Sequence, residues 1–160
     1  MLTRHLSATL GVTYGKAFAY DTVRVGLGLY GYFPNGAKEI FPLEKGMTVY
    51  APVAETRKFV GGGAGYGAPL TDTPKGGRLC TVRFGYADGF LRKRENGTVG
   101  FERSARNLCM DTCVREGKEK RGAELPVLTD ASQTATVAKT NAYEVLCAAT
   151  RRAETVYDYE

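Results

Sequence analysis

A single histidine, His5, serves the whole chain of 160 residues, and the four cysteines, Cys80, Cys109, Cys113 and Cys147, form no Cys-x-x-Cys pair. A zinc site needs tighter ligand spacing and a second histidine, so no metal is expected. Long apolar runs are missing too. No stretch approaches the roughly 20 residues that span a bilayer. Met1 to Leu10 carries Arg4 and His5 with no apolar core behind them, unlike a secretory signal. These absences predict a soluble, cytoplasmic protein with reduced thiols and no membrane segment. No low-complexity tract or internal repeat interrupts the chain, and its length suits one domain with a real core.

Charge of one sign is only mildly in excess. Twenty-two lysines and arginines against 17 acids give a net charge of +5. The densest basic runs, Arg92-Lys93-Arg94 and Lys118-Glu119-Lys120-Arg121, are short and broken by acids or glycine. Scattered charge of this kind is solvated surface rather than a nucleic-acid stripe, so nucleic acid is not expected as a partner.

What is abundant is glycine, at 20 residues, and tyrosine, at 10. Both favour a turn-rich, strand-rich fold over a helical bundle. Thr22 to Tyr30 is an apolar run broken by glycine, with no polar face, as in a strand buried on both sides of an α/β sheet. Pro34-Asn35-Gly36 then makes a turn. Met47 to Phe59 alternates enough to be extended, and Gly61 to Gly65 is a permissive loop. Leu79 to Tyr86 reads as a strand ended by the Ala87-Asp88-Gly89 turn, and Glu95-Asn96-Gly97 signals a hairpin. Glu124 to Thr129 is a further short strand. Two short helices follow: Ser132 can cap one over Thr134 to Lys139, and Asn141, with Glu144 three residues on, can cap the next. Arg152 to Tyr159 reads extended. The expected fold is mainly β with a few short helices, preceded by the last part of an α/β barrel.

Several segments, in order, resemble one family. Val23-Arg24-Val25-Gly26-Leu27-Gly28-Leu29-Tyr30-Gly31 is similar to a stretch of the alanine racemases written R-x-G-I-x-L-Y-G. Ala64-Gly65-Tyr66-Gly67 resembles V-G-Y-G, Gly85-Tyr86-Ala87-Asp88-Gly89 matches G-Y-A-D-G, and Leu108-Cys109-Met110-Asp111 matches C-M-D. Tyr143-Glu144-Val145-Leu146, with Arg151 or Arg152 and Tyr157 behind it, fits the closing Y-E-[IV]-L…R…Y pattern. The resemblance implies residues 1–38 as a remnant of the cofactor-binding barrel and 39–160 as the C-terminal β domain of a homodimeric enzyme dependent on pyridoxal 5'-phosphate. The activity implied is interconversion of L- and D-alanine for peptidoglycan. The serine/alanine racemases of vancomycin resistance share this architecture. A non-catalytic interaction module derived from the same domain is the other reading.

Racemisation at Cα needs an electron sink, which the cofactor supplies, and proton carriers on two faces. By resemblance, Tyr66 is the carrier on one face. The other is the Schiff-base lysine of a V-K-A-N-A-Y-G motif, and no lysine of this chain has those neighbours. The chain alone is therefore expected to be inactive. The resemblance places Arg24 under the pyridine nitrogen, where an arginine stays protonated and does not give a full proton to the ring. The apolar run around it suggests a buried, paired residue. Gly26 and Leu27 offer backbone N–H groups to the cofactor phosphate and Thr9 a hydroxyl, an ordinary phosphate cradle. Tyr143 adds its hydroxyl there and tilts the substrate towards alanine, since serine-preferring relatives tend to carry a smaller polar residue. Tyr86 narrows the substrate channel, and the Met110 N–H faces the substrate carboxylate unless that side chain is simply core. One departure stands out: Asn107 occupies the arginine position of the family's G-R-[IV]-C-M-D, with Arg106 one residue early. A strand without its barrel neighbours should leave an apolar face open, so self-association is expected.

Overall fold

The computed structural model describes residues 2–34, 37, 39–63, 76–90 and 104–159. The chain begins with β1 (His5–Ala8), one helical turn α1 (Thr9–Val12) and β2 (Thr22–Arg24), and β1 pairs with β2 in parallel. The expected strand over Thr22–Tyr30 is thus only three residues long. Gly26 adopts φ −118° and ψ −83°, which leaves the strand, and Leu27–Tyr30 then winds as a 3-10 turn closed by Gly31 at φ 83°. Glycine is required at position 31, because a Cβ would sit 1.9 Å from the Glu44 carbonyl oxygen. The short strand is also exposed rather than buried on both faces.

The rest forms one antiparallel sheet with two helices on it. Its strands are β3 (Val49–Lys58), β4 (Arg78–Val82), β5 (Ser104–Leu108), β6 (Cys113–Glu116) and β7 (Glu124–Leu128), in the spatial order β5-β6-β4-β3-β7. β3 divides its pairing: residues 49–52 face β7 and residues 53–58 face β4. Pro52 lies at the changeover, and Pro126 lies on the edge strand β7, where proline is tolerated. β4 ends at Val82, earlier than its apolar pattern suggests: the Arg83 N–H still donates to the Pro52 carbonyl, but Pro52 has no N–H to return the bond, and the Phe84 N–H turns back to the Val82 carbonyl.

Alternate residues of β3, namely Val49, Ala51 and Val53, point into a buried cluster with Cys80, Val82, Cys113 and Val127. The helices α2 (Ala131–Ala138) and α3 (Ala142–Ala149) close it with Ala131, Ala135, Ala142, Val145, Leu146 and Ala149. Alanines on the buried sides, Ala131, Ala135, Ala142 and Ala149, keep these faces small where the two helices pack together. Asn141 caps α3 as expected, its Oδ1 accepting from the Glu144 N–H at 3.0 Å. The cap of α2 is Asp130, not Ser132: Asp130 Oδ1 accepts from the N–H groups of Ser132 and Gln133 at 2.9 and 3.2 Å, and the helix starts three residues before Thr134. Leu27 and Tyr32 belong to the same cluster, and the Tyr32 hydroxyl accepts from the Ala131 N–H at 3.1 Å, so the N-terminal segment is anchored at its end. Among the described residues no helix is long and apolar enough to cross a membrane.

Candidate active-site residues

Two groups of the expected residues come together. The first lies where β1 and β2 end side by side, with Ala8 paired to Arg24. Both chains turn away there, leaving the carboxyl ends of parallel strands open, the usual location for a ligand in α/β sheets. Thr9 Oγ1 accepts from the N–H groups of Gly26 and Gly28, both at 3.2 Å. No acceptor for its own hydroxyl proton is found among the described residues. The Leu27 N–H has no hydrogen-bond partner among the described residues, while the Leu27 side chain is buried and fixes the turn. A Cβ at Gly26 would meet nothing within 4 Å, so space is open beside these donors, whereas Gly28 is packed against Thr9 and Val25. The nearest carboxylate in sequence, Asp21, is held by Arg4 through two side-chain contacts at 3.1 Å. Hydroxyl and backbone donors without a free carboxylate suit a phosphate. Arg24 is exposed, its Nη2 donating to the Leu6 carbonyl at 3.4 Å, and not buried as its apolar neighbours suggested. With only one parallel neighbour, β2 has nothing to cover that side chain.

The second group joins two turns. Gly85 leads into the 3-10 turn Tyr86–Asp88, and Cys109–Thr112 links β5 to β6. The Tyr86 N–H donates to the Cys109 carbonyl at 3.2 Å and the Ala87 N–H to the Met110 carbonyl at 2.9 Å. A Cβ at Gly85 would lie 2.3 Å from the Met110 carbonyl oxygen, so only glycine permits this approach. Asp88 Oδ2 accepts from the Gly85 N–H at 2.9 Å, closing the turn. Met110 is half exposed, which removes the core-methionine reading, and its own N–H has no partner among the described residues.

Tyr143 stands apart on the outer side of α3, partly exposed, and no hydrogen bond among the described residues links it to either group. Its helix shares the buried cluster with Leu27, so the two are connected through packing. Tyr66 and the Glu95-Asn96-Gly97 hairpin lie outside the described residues, as do the side chains of Arg106 and Asn107. Of the two arginines behind the closing motif, Arg152 reaches Asp88 and Asp111, Nη1 lying 3.1 Å from Oδ1 of each. Asp111, and then Asp88, hold its guanidinium above the ordinary arginine value.

A mostly antiparallel sheet with two short helices on one face, preceded by a parallel strand pair that ends in a donor-lined turn, defines a β domain attached to an α/β element. The family profile described as "Alanine racemase, C-terminal domain" matches residues 46–157. The chain belongs to the alanine racemase family and carries its C-terminal domain. It is similar to the alanine racemase of Clostridium kluyveri, 30% identical over 163 residues covering 86% of this chain and 40% of that protein. With that of Dinoroseobacter shibae it shares 38% over 94 residues, 58% of this chain and 25% of that one. Among solved structures, alanine racemase from Bartonella henselae with covalently bound pyridoxal phosphate aligns at TM-score 0.73 and 26% identity, over 92% of this chain and 45% of that one. The Clostridium difficile enzyme in complex with cycloserine aligns at 0.74 and 27%, over 92% and 43%. The chain spans less than half the length of each of these relatives.

Proposed function

We propose that this chain is the C-terminal part of a pyridoxal-phosphate-dependent alanine racemase, a cytoplasmic, homodimeric isomerase that supplies D-alanine for peptidoglycan. The observation that carries the reading is the joining of the Tyr86 and Met110 turns. Two motifs 24 residues apart, each expected to face substrate, hold one another through backbone hydrogen bonds and a glycine-only contact.

In this reading residues 1–38 are the end of the cofactor barrel and 39–160 the β domain. Thr9 by its hydroxyl and Leu27 by its N–H would hold the cofactor phosphate, with Gly26, whose N–H is engaged by Thr9, leaving the space for it; Tyr143 would add its phenol, and Arg24 would serve the pyridine ring as a permanent cation. The cofactor, when bound, serves as the electron sink that acidifies the substrate Cα. Tyr66 takes or returns the Cα proton on one face. A phenol titrates near 10 in water, so this role needs neighbouring cations or hydrogen bonds to lower it. The Met110 N–H receives the substrate carboxylate and Tyr86 narrows the channel from the partner subunit. Small apolar substrate fits best, because Tyr143 fills the place of a smaller polar residue. The proton carrier on the opposite face is a lysine that this sequence does not supply, so activity requires a polypeptide bearing it, continuous with this chain or separate.

The test is racemisation of L-alanine and L-serine with added pyridoxal phosphate, read by chiral chromatography, for the chain alone and with a lysine-bearing barrel half of a relative. No turnover is expected alone, and turnover of alanine above serine is expected with the barrel half. Turnover by the chain alone would assign the second proton carrier to one of its own lysines. No turnover with the barrel half would favour a non-catalytic interaction module.

A further inference from the structure

The ion pairs of Arg152 lie outside every role assigned above. Arg152 follows α3 by three residues, in a turn where the Arg151 N–H donates to the Ala148 carbonyl and the Ala153 N–H to the Thr150 carbonyl. The end of α3 is pressed against the Tyr86 turn: Gly89, at φ 107°, would place a Cβ 2.3 Å from the Ala148 carbonyl oxygen. From that fixed base one guanidinium nitrogen reaches two carboxylates on two different loops, Asp88 of the Tyr86 turn and Asp111 of the Met110 turn, at 3.1 Å each. Asp88 is mostly buried on its side chain and spends its other oxygen on the Gly85 N–H, so its position is inflexible. Asp111 directly follows Met110, whose N–H is unengaged among the described residues.

Two anions this close to an N–H meant for a third would repel it, since charge is screened only over about 8 Å at physiological salt. Arginine suits the position because its guanidinium is planar, permanently charged and weakly hydrated, so the two protons of one Nη can stay aimed at both carboxylates, whereas an ammonium is a strongly hydrated point charge on a freer stem. We infer that Arg152 is a positioning residue that locks the Tyr86 and Met110 turns to the end of α3 and offsets the charge of Asp88 and Asp111, so that the Met110 N–H can receive a carboxylate. This rests on the racemase reading for the identity of the anion, and on the geometry alone for the lock.

Two measurements separate the parts. In the full chain, amide hydrogen exchange at Tyr86 and Ala87, the two N–H groups that bridge the turns, should quicken in Arg152→Ala by about tenfold or more, with Arg152→Lys in between. Combining Arg152→Ala with Asp111→Asn should give less than the sum of the single changes, because they remove one shared interaction. In the chain complemented with a lysine-bearing barrel half, Arg152→Ala should raise KM for L-alanine about tenfold while kcat moves less than about threefold, and Arg152→Lys should recover part of that KM. Unchanged exchange at Ala87 would overturn the lock. A KM within about twofold of wild type would overturn the charge role. If the unaltered chain shows no turnover with the barrel half, the racemase reading falls while the exchange data still decide the lock.

Discussion

Residues 2–30 and residues 49–149 both carry many apolar side chains, but only the second stretch hides them. In the sheet and its two helices, alternate strand residues and one face of each helix converge on a single buried cluster. In the N-terminal segment Leu2, Leu6, Tyr14, Phe18, Tyr20, Leu29 and Tyr30 are exposed, and the buried residues are few: Ser7, Thr9 and Leu27. Two parallel strands cannot close a core, because each buries one edge and leaves both faces and the outer edges free. The N-terminal segment is held by its anchorage, at Leu27, Tyr32 and the Lys45–Asp130 ion pair, and not by a core of its own. The donor-lined turn at Thr9 therefore sits on the less self-sufficient half of the molecule, and the paired turns at Tyr86 and Met110 on the firm half.

The sharpest way to break this contrast is to remove a leucine from each side. Leu128 is 4% exposed and Leu29 is 74% exposed. Leu128→Ala should lower the free energy of unfolding by about 2–5 kcal/mol through lost burial and a cavity. Leu29→Ala should change it by less than about 0.5 kcal/mol. Urea unfolding followed by circular dichroism measures both. Equal effects would mean that Leu29 is covered in solution, for instance by a second copy of the chain, and the comparison would then describe an assembly rather than a monomer.

The same contrast explains which elements were legible in the sequence. β3, β6 and β7 sit on the buried cluster, and alternation or a short apolar run is enough to mark β3 and β7, while β6 was not singled out because its four residues mix Cys113 and Val114 with Arg115 and Glu116. The Asn141 cap of α3 was readable because side chain and target N–H are three residues apart in sequence. Ser132 and Asp130 are both good cap residues by type, so local sequence does not separate them, and in the fold Asp130 is also held by Lys45, 85 residues away. The Thr22–Tyr30 run looked like a buried strand because its pattern is that of a barrel strand. Local pattern reports the surroundings a segment suits, and here those surroundings are not among the described residues. For the site, the family's spacing singles out Thr9 with Gly26, which a hydrogen bond joins in the fold, and names Tyr86 and Met110 separately without their contact. That Arg152 and not Arg151 reaches the two aspartates turns on the direction the chain takes after α3, which no spacing encodes.

A middle-sized effect tests the anchorage between the two regions. Burial alone pushes the Asp130 carboxyl up, but hydrogen bonds from Lys45, Gln133 and Ser132, with the Lys45 charge, outweigh it and hold the group below its ordinary value. A carboxylate whose folded pKa is depressed contributes stability that is present above the unfolded value of about 3.9 and is lost as pH falls through the folded value. Asp130→Ala should cost about 1–2 kcal/mol at neutral pH, the usual loss for an N-cap, and Asp130→Asn less, since the amide still accepts at the helix start. Both variants should draw closer to the unaltered chain in stability as the pH falls through the depressed folded value of Asp130. A difference that persists undiminished in acid would place the stabilisation in packing rather than in this charge. The loss should also quicken exchange at the Ala131 N–H, which the Tyr32 hydroxyl holds.

The smallest effect separates exposed from buried thiols within the firm half itself. Cys147 is exposed and Cys109 partly so, while Cys80 and Cys113 are buried. Cys147 stands in an apolar run of the sequence, but it lies on the outward side of α3. Iodoacetamide at pH 8 should alkylate Cys147 first and Cys109 next, and reach the buried pair only as the chain opens, because the thiolate is the reactive form and needs access. Burial pushes the Cys113 thiol up to about 12. A group that is neutral in the fold and ionises near 8.5 when unfolded contributes stability that is complete below that value and declines from there towards about 12. Labelling of Cys113 should therefore show a lag at pH 8 that shortens at pH 10, read by mass spectrometry of the digested chain. Labelling of Cys113 at the rate of Cys147 at pH 8 would show that the sheet opens far more readily than its buried cluster implies, and the distinction between the two regions would lose its main support.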